Sequence, residues 1–189
     1  MLNPRQILHG KRIVLVKAEK SFEMAKLHIA EVQDSLPELS PWLGWATPEY
    51  KIEDSYEYLL GCNQKWEEGA DFTYVITTED IPFMGTISVF NIKEKDKCVE
   101  IGYWISTKYA GNGYMQEAVS LIEKEFFGLG LNRLVIHTDV LNIKSANVAK
   151  KCGYILDGIQ RQNNWVVAEE RYRDTNTFSK LKSEYVESK

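Results

Sequence analysis

The chain has 189 residues, of which 44% are hydrophobic and 12% aromatic, enough to build the core of one domain over residues 1–189. Its net charge of -4 and pI of about 5.5 argue against a surface that follows nucleic-acid phosphates. The three cysteines are too scattered for a disulfide framework or a metal site, so we expect a protein that binds no metal. The sequence shows neither an apolar leader nor a run of about 18 apolar residues, so we expect a soluble cytoplasmic protein that does not enter a membrane.

The first third of the chain predicts one strand and two helices. Arg12 to Lys17 is a β-branched run of strand length, and Glu23 to Val32 has the spacing of a loose amphipathic helix that starts after Ser21. Ile52 to Glu68 predicts a second helix, which Gly69 ends. The order in this part is therefore strand, helix, helix.

Between these helices lies an aromatic loop. Residues 36–50 carry three of the five prolines and two of the five tryptophans, Trp42 and Trp45, so a regular helix cannot run through them. Such a loop fits a lid over the core, and it equally fits a wall that contacts a substrate. Trp42 and Trp45 are therefore the candidate substrate-binding residues.

The middle of the chain predicts an antiparallel meander. Its three strand-like runs, separated by short polar connections, are Asp71 to Thr77, Met84 to Ile92 and Cys98 to Ile105. Gly113 to Leu129 then places apolar residues on one helical face, and Asn132 to Val140 returns to a strand. A strand, a long helix and a strand in succession predict a right-handed crossover and a parallel pair within an otherwise antiparallel sheet.

The last part of the chain predicts a short helix and a closing strand. The helix runs from Ser145 to Cys152 with Gly153 at its end, and the strand runs from Thr175 to Leu181. Residues 155–168 allow one extra strand. The fold class is thus α/β (α+β), with a mixed, mostly antiparallel sheet flanked by helices.

A glycine-containing turn joins the last meander strand to the long helix. Gly111 and Gly113 would let an anion approach the free N–H groups at the helix start, which carries the positive end of the helix dipole. A simple tight turn would have the same two glycines. The spacing is neither that of a Walker loop nor that of a dinucleotide fingerprint, which argues against a nucleotide-binding domain.

Three segments resemble the GNAT N-acetyltransferase superfamily. The turn is similar to the family loop Arg/Gln-x-x-Gly-x-Gly/Ala, with Lys108 at the Arg/Gln position and Gly111 and Gly113 at the glycines. Residues 142–154 resemble the family pattern Asn-x-x-Ser-x-x-Val-x-x-Lys-x-Gly-Phe, with tyrosine in the last place. Glu100 to Ile105 is similar to the strand before the loop in the RimJ/RimL-like branch, which acetylates ribosomal-protein N-termini.

The resemblance implies a central parallel strand pair that splits to hold acetyl-CoA. Pantetheine would pair with the strand that ends near Ile105, and the pyrophosphate would rest on the turn. The residues implied to bind the cofactor are Trp104, Ile105, Lys108, Gly111, Asn112, Gly113, Tyr114 and Met115. Asn142 would reach pantetheine from the other side, and it is equally suited to cap the helix that follows.

Attack of an amine on a thioester needs a base, an oxyanion donor and an acid for the thiolate. Ser145 matches the serine that the resemblance places near the thiolate, and it could instead be a helix cap; Ala149 stands where other branches have a tyrosine acid. The base is Glu100, whose partial burial would raise its pKa, or His137 on the next strand, or water. A backbone N–H near Ile105 is the candidate oxyanion donor.

These features predict an enzyme that moves the acetyl group of acetyl-CoA to a primary amine in a ternary complex. The resemblance implies a protein N-terminal α-amino group, as on a ribosomal protein, and the protein would be a monomer or a homodimer. Two alternatives stay open: an acetyltransferase for polyamines or antibiotics, and a non-catalytic module that binds acyl-CoA.

Overall fold

The framework of the protein is one eight-stranded sheet, which the computed structural model describes together with the rest of residues 2–166 and 169–186. From one edge to the other the strands are β1 (Ile7–His9), β2 (Val14–Lys17), β3 (Phe72–Thr77), β4 (Gly85–Lys93), β5 (Cys98–Ile105), β6 (Arg133–Asp139), β8 (Arg171–Leu181) and β7 (Ile155–Val166). Neighbouring strands are antiparallel except β5 and β6, which are parallel. The predicted fold class is confirmed.

Among the described residues, five α-helices cover the two faces of the sheet. They are α1 (Phe22–Asp34), α2 (Leu36–Leu39), α3 (Ile52–Glu68), α4 (Tyr114–Gly128) and α5 (Ile143–Lys151). The Ser21 hydroxyl accepts the Met24 N–H at 3.0 Å and caps α1, as its sequence predicts. Gly69, with φ 70°, takes the left-handed conformation that ends α3.

Some element boundaries differ from the predicted ones. Strand β1 was not predicted, because three residues are too few for an alternating pattern to stand out. Helix α2 lies inside the predicted aromatic loop, where Pro37 occupies the first turn and needs no N–H partner. The extra strand near residues 155–168 is confirmed as β7, although residues 167–168 lie outside the described residues, and β8 begins earlier than predicted.

The side chains of β5 alternate between two apolar clusters, and this alternation organises the site. Val99 and Ile101 are buried in the cluster that includes the inner faces of α4 and α5, with Tyr103 packed against it. Trp104 points the other way, into a cluster that it shares with α1 and α3. Strand β5 therefore contributes side chains to both apolar clusters, one on each face of the sheet.

Candidate active site

Strands β5 and β6 separate part-way along their length. Their parallel pairing runs from Cys98 opposite Arg133 to Glu100 opposite Val135 and stops there. Beyond that point β5 remains paired with β4 as far as Ile105, while β6 remains paired with β8 to the end of the strand. A split therefore opens between the two central strands, with an unpaired strand edge on each side.

The backbone polar groups in the split belong to alternate residues. The Lys97 carbonyl accepts the Arg133 N–H at 3.2 Å, so the N–H and C=O groups of odd-numbered β5 residues lie on the β6 side. Tyr103 and Ile105 consequently direct their backbone groups into the split, where a peptide-like chain or an oxyanion would find donors. Trp104 directs its backbone groups towards β4.

The glycine turn leaves the start of α4 open. Gly111 and Gly113 have φ values of 82° and 81°, and no side chain in the described part of the chain caps the first N–H groups of α4, which Gly113 precedes. A Cβ atom added to Gly111 would meet no atom within 4 Å. The turn therefore presents free backbone donors at the positive end of a 15-residue helix. Met115 is buried in the core, so only its backbone can contribute.

Arg12 holds this turn from the other end of the chain. Its guanidinium donates to the Asn112 carbonyl at 2.9 Å and to Glu117 at 2.8 Å, and it lies 4.8 Å over the Tyr114 ring. Burial alone would raise the pKa of Glu117, but bonds from the Arg12 backbone and side chain hold that pKa below its usual value. No motif in the sequence pointed to Arg12.

Lys108 is held against α1. Its ammonium contacts Asp34 at 2.6 Å and Glu31 at 3.3 Å, and these carboxylates raise the pKa of the lysine. Glu31 also accepts the Ser106 hydroxyl at 2.6 Å. Lys108 therefore ties the approach to the turn onto α1, and a bond from Lys108 to a phosphate would require these ion pairs to open.

Ser145 and Asn142 occupy the first turn of α5. The Asn142 side chain accepts the Ser145 N–H at 3.0 Å, so Asn142 is the helix cap and the alternative that Ser145 caps α5 is wrong. The Ser145 hydroxyl instead lies 3.3 Å from the Tyr103 hydroxyl across the split. Burial, as the largest cause, raises the pKa of Tyr103 to about 12.

Glu100 and His137, treated as alternatives in the sequence, contact each other. His137 Nδ1 lies 3.0 Å from one Glu100 oxygen, and the Asn91 amide donates to the other at 2.8 Å. Burial favours a higher pKa for Glu100, but the bonds from His137 and Asn91 outweigh it and the pKa is lowered. The prediction of a raised pKa for Glu100 is wrong, because its partners stabilise the carboxylate more than burial destabilises it.

The two predicted tryptophans take different positions beside the split. Trp45 stacks on the buried ring of His28 and lies 6.1 Å from Trp104, whereas Trp42 packs under the Arg173 guanidinium. Arg173 also donates to the Pro41 carbonyl at 2.6 Å and fixes the loop. Trp104 has its indole buried here, and its Nε1 has no partner among the described residues.

Comparison with known proteins assigns this architecture. The sequence model of the acetyltransferase (GNAT) domain family matches residues 12–155. The chain belongs to this family. The ribosomal-protein-serine acetyltransferase of Escherichia coli K12 is 26% identical over 88% of this chain and 96% of its own length.

Two further relatives extend the comparison. The spermidine N(1)-acetyltransferase of Vibrio cholerae is 21% identical over 75% of this chain and 80% of its own length. The solved structure of RimL, a ribosomal L7/L12 α-N-protein acetyltransferase in complex with coenzyme A, superposes with a TM-score of 0.84 at 21% identity, over 95% of this chain and 99% of that one. This likeness shows that the fold is shared.

As a member of the GNAT family, the protein is an acetyl-CoA-dependent N-acetyltransferase. The split between β5 and β6 and the open start of α4 fit the two polar parts of that donor, pantetheine and pyrophosphate. In residues 2–166 and 169–186 no three His, Cys, Asp or Glu side chains are grouped to hold a metal ion. Within the same residues no helix has the length and apolarity needed to cross a membrane.

Gly113→Val is expected to raise the KM for acetyl-CoA about tenfold, because a branched residue at positive φ strains the turn by over 1 kcal/mol. Its Cβ would also lie 3.3 Å from the Arg12 side chain that holds the turn. Steady-state kinetics with varied acetyl-CoA measure the effect. Gly128→Val, at the other end of α4 with open space around it, is the control. An unchanged KM in the Gly113 variant would show that this turn does not bind the pyrophosphate of acetyl-CoA.

Proposed function

We propose that the enzyme acetylates the N-terminal α-amino group of a protein, of the ribosomal-protein type, in the cytoplasm. The observation that carries the proposal is the Escherichia coli relative, whose name specifies a ribosomal-protein serine and whose length this chain covers almost completely. The structure supports it with the separation of β5 and β6 beyond Glu100 and Val135, which leaves a gap between the two faces of the sheet.

The candidate proton-transfer groups divide between the two faces. Glu100 and His137 lie on the face of β5 and β6 that carries Trp104 and the aromatic loop, whereas Ser145 and Tyr103 lie on the α4 and α5 face. An amine that enters beside the aromatic loop would meet the His137 pair. The departing thiol would leave on the Ser145 side.

In the proposed reaction the neutral amine attacks the thioester carbon, and His137 or a water beside it takes the ammonium proton. Glu100 stays ionised and orients the His137 ring through Nδ1. The Gln160 amide lies 3.4 Å from Nε2, so this contact must open before Nε2 exchanges a proton with the amine. The Tyr103 or Ile105 N–H stabilises the oxyanion from the edge of the split. Ser145 protonates the thiolate as the C–S bond breaks.

A small polyamine is the second candidate acceptor, which the spermidine acetyltransferase relative favours. The exposed ring of Trp45 could contact a cationic chain as well as a peptide terminus. The relative covers less of this chain than the ribosomal-protein enzyme does, so the protein N-terminus is the preferred acceptor.

Release of CoA thiol from acetyl-CoA tests the proposal. We expect turnover with peptides that begin with serine or alanine, slower turnover with spermidine and aminoglycosides, and none without an amine. Peptides whose α-amine is already acetylated serve as the matched control. Turnover on polyamines alone would replace the protein acceptor, and saturable binding without turnover on any amine would contradict both.

Ser145→Ala is expected to lower kcat about tenfold and leave both KM values within about twofold, because an acid for the leaving group acts only in the transition state. The Asn142 cap is retained, so α5 stays folded. Ser120→Ala, an exposed serine on α4, is the control. An unchanged kcat would assign the thiolate proton to water.

A further inference from the structure

We propose that Tyr103 is a positioning residue for Ser145, so that the thiolate is protonated by a coupled pair of hydroxyls and not by the serine alone. The inference rests on the proposed function and adds a residue to its leaving-group side. Tyr103 comes from β5 and Ser145 from α5, so the pair joins the two walls of the split.

Two contacts fix the pair. The Tyr103 hydroxyl donates to the Ser145 carbonyl oxygen at 3.2 Å, and the Ser145 hydroxyl donates to the Tyr103 oxygen at 3.3 Å. The phenol ring packs against the core that α4 and α5 share. Because Asn142 holds the Ser145 N–H at the same time, both the backbone and the side chain of this serine are held in place.

In the resting enzyme the phenol keeps its proton under all ordinary conditions. Burial, the largest cause, raises the pKa of Tyr103 to about 12, and the nearby Cys152 adds to the rise while the bond to Ser145 opposes it. Tyr103 is therefore a hydrogen-bond donor throughout the neutral range. It is therefore neutral until the C–S bond breaks, and in the resting enzyme it does not repel the sulfur.

A serine alone is a poor acid for this step. Its alkoxide would be about as basic as hydroxide, so the serine hydroxyl gives up its proton far less readily than a phenol does. In the coupled step the C–S electron pair stays on sulfur, the Ser145 proton moves to sulfur, and the Tyr103 proton moves to the serine oxygen. The charge ends on a phenolate that is far less basic than an alkoxide, and the phenolate regains its proton from water that has received the amine's proton.

The arrangement also accounts for the direction of the serine hydroxyl. Without substrate the Ser145 proton points at Tyr103, and rotation about the side chain turns it into the split when sulfur arrives. The phenol proton can then turn from the Ser145 carbonyl to the serine oxygen. Both rotations occur within one pair of side chains and require no backbone movement.

A double-mutant cycle in kcat tests the pair. Tyr103→Phe is expected to lower kcat about tenfold and leave the KM for acetyl-CoA within about twofold, because one hydrogen bond to the reacting group is lost. The variant with both Tyr103→Phe and Ser145→Ala should be no slower than Ser145→Ala alone. Tyr154→Phe, which removes the hydroxyl of a buried tyrosine in the core that Tyr103 packs against, is the control and should keep kcat unchanged.

Three outcomes would overturn the inference. An unchanged kcat in Tyr103→Phe removes the role, and losses that multiply in the double variant show that the phenol acts independently of Ser145. Absence of turnover in the unmodified protein, with every amine, overturns the proposed function and this inference together. Should Tyr103→Phe fail to fold in a thermal scan, Tyr103→Met, which also lacks the hydroxyl, carries the same cycle.

Discussion

Gly85→Ala is expected to destabilise the protein by about 3 kcal/mol and to abolish most of the activity that remains in the folded fraction. A Cβ atom on Gly85 would lie 2.3 Å from the Trp104 carbonyl oxygen and 2.7 Å from the Ile105 Cα. Both contacts are with backbone, so no side-chain rotation relieves them, and Gly85 also has φ of 150°. Urea unfolding gives the stability and acetyl-CoA kinetics give the activity.

The effect on activity follows from where Gly85 lies. It pairs with Ile105 at the end of β5, where the backbone N–H of Ile105 faces the split. Moving this backbone by several tenths of an ångström would displace the candidate oxyanion donor. Gly61→Ala is the control, because this glycine lies inside α3 with open space around it. Alanine at this position should raise the free energy of unfolding by up to about 1 kcal/mol. Equal stability in the two variants would contradict the close approach.

The parts of the site that follow local rules were predictable from the sequence. A glycine turn between a strand and a long amphipathic helix gives the open helix start at Gly113, and the same strand–helix–strand order gives the parallel pair. The alternation of β5 also separates Glu100 and Trp104 from Tyr103 correctly, because a strand has a period of two.

The parts of the site that depend on contacts between residues far apart in the chain were not predictable from the sequence. Arg12 reaches Glu117 across 105 residues, and nothing near either residue marks the partner. The predicted direction of the Glu100 pKa shift was wrong, because the strand pattern showed the burial of Glu100 but not its contact with His137. Lys108 likewise matched a family position, but its charge is bound to Asp34 and Glu31 on α1.

Together these contacts explain how one β-strand can serve two substrates. In β5 from Gly102 to Ile105, the backbone groups of the odd-numbered residues face the split. Tyr103 packs on the α4 and α5 face, and Trp104 packs among the aromatic residues on the opposite face. Gly85 fixes the end of this segment at Ile105, and Arg12 fixes the turn that follows it at Asn112. A shift of either anchor would move the donor site and the acceptor site together.

His28, given no role in the sequence, lies at the centre of an aromatic cluster that includes Trp45 and Trp104. Its ring is 1% exposed, Nδ1 contacts the Ser55 hydroxyl at 2.9 Å, and Nε2 has no partner among the described residues. The rings around it, with centroids 5.1 to 6.1 Å away, belong to Trp45, Tyr50, Tyr58, Phe83 and Trp104. Burial lowers the pKa of His28 from 6.5 to about 4.

This lowered pKa predicts an acid-sensitive fold. The unfolded chain binds the His28 proton more tightly than the folded chain, so stability is fully present above the unfolded pKa of 6.5 and is lost as the pH falls towards the folded pKa of about 4. The loss between roughly pH 7 and pH 5 is about 2 kcal/mol. Urea unfolding at the two pH values measures it.

His28→Asn should remove this difference while keeping a polar atom near Ser55, and His9→Asn, at an exposed position on β1, should retain it. The comparison between variants matters because buried Glu123, whose pKa burial raises, changes stability in the opposite direction on acidification, whereas Glu100 acts only below its usual pKa of 4.5. If His28→Asn kept the full acid sensitivity, the proton would be entering elsewhere, and the aromatic cluster would not depend on a neutral imidazole at its centre.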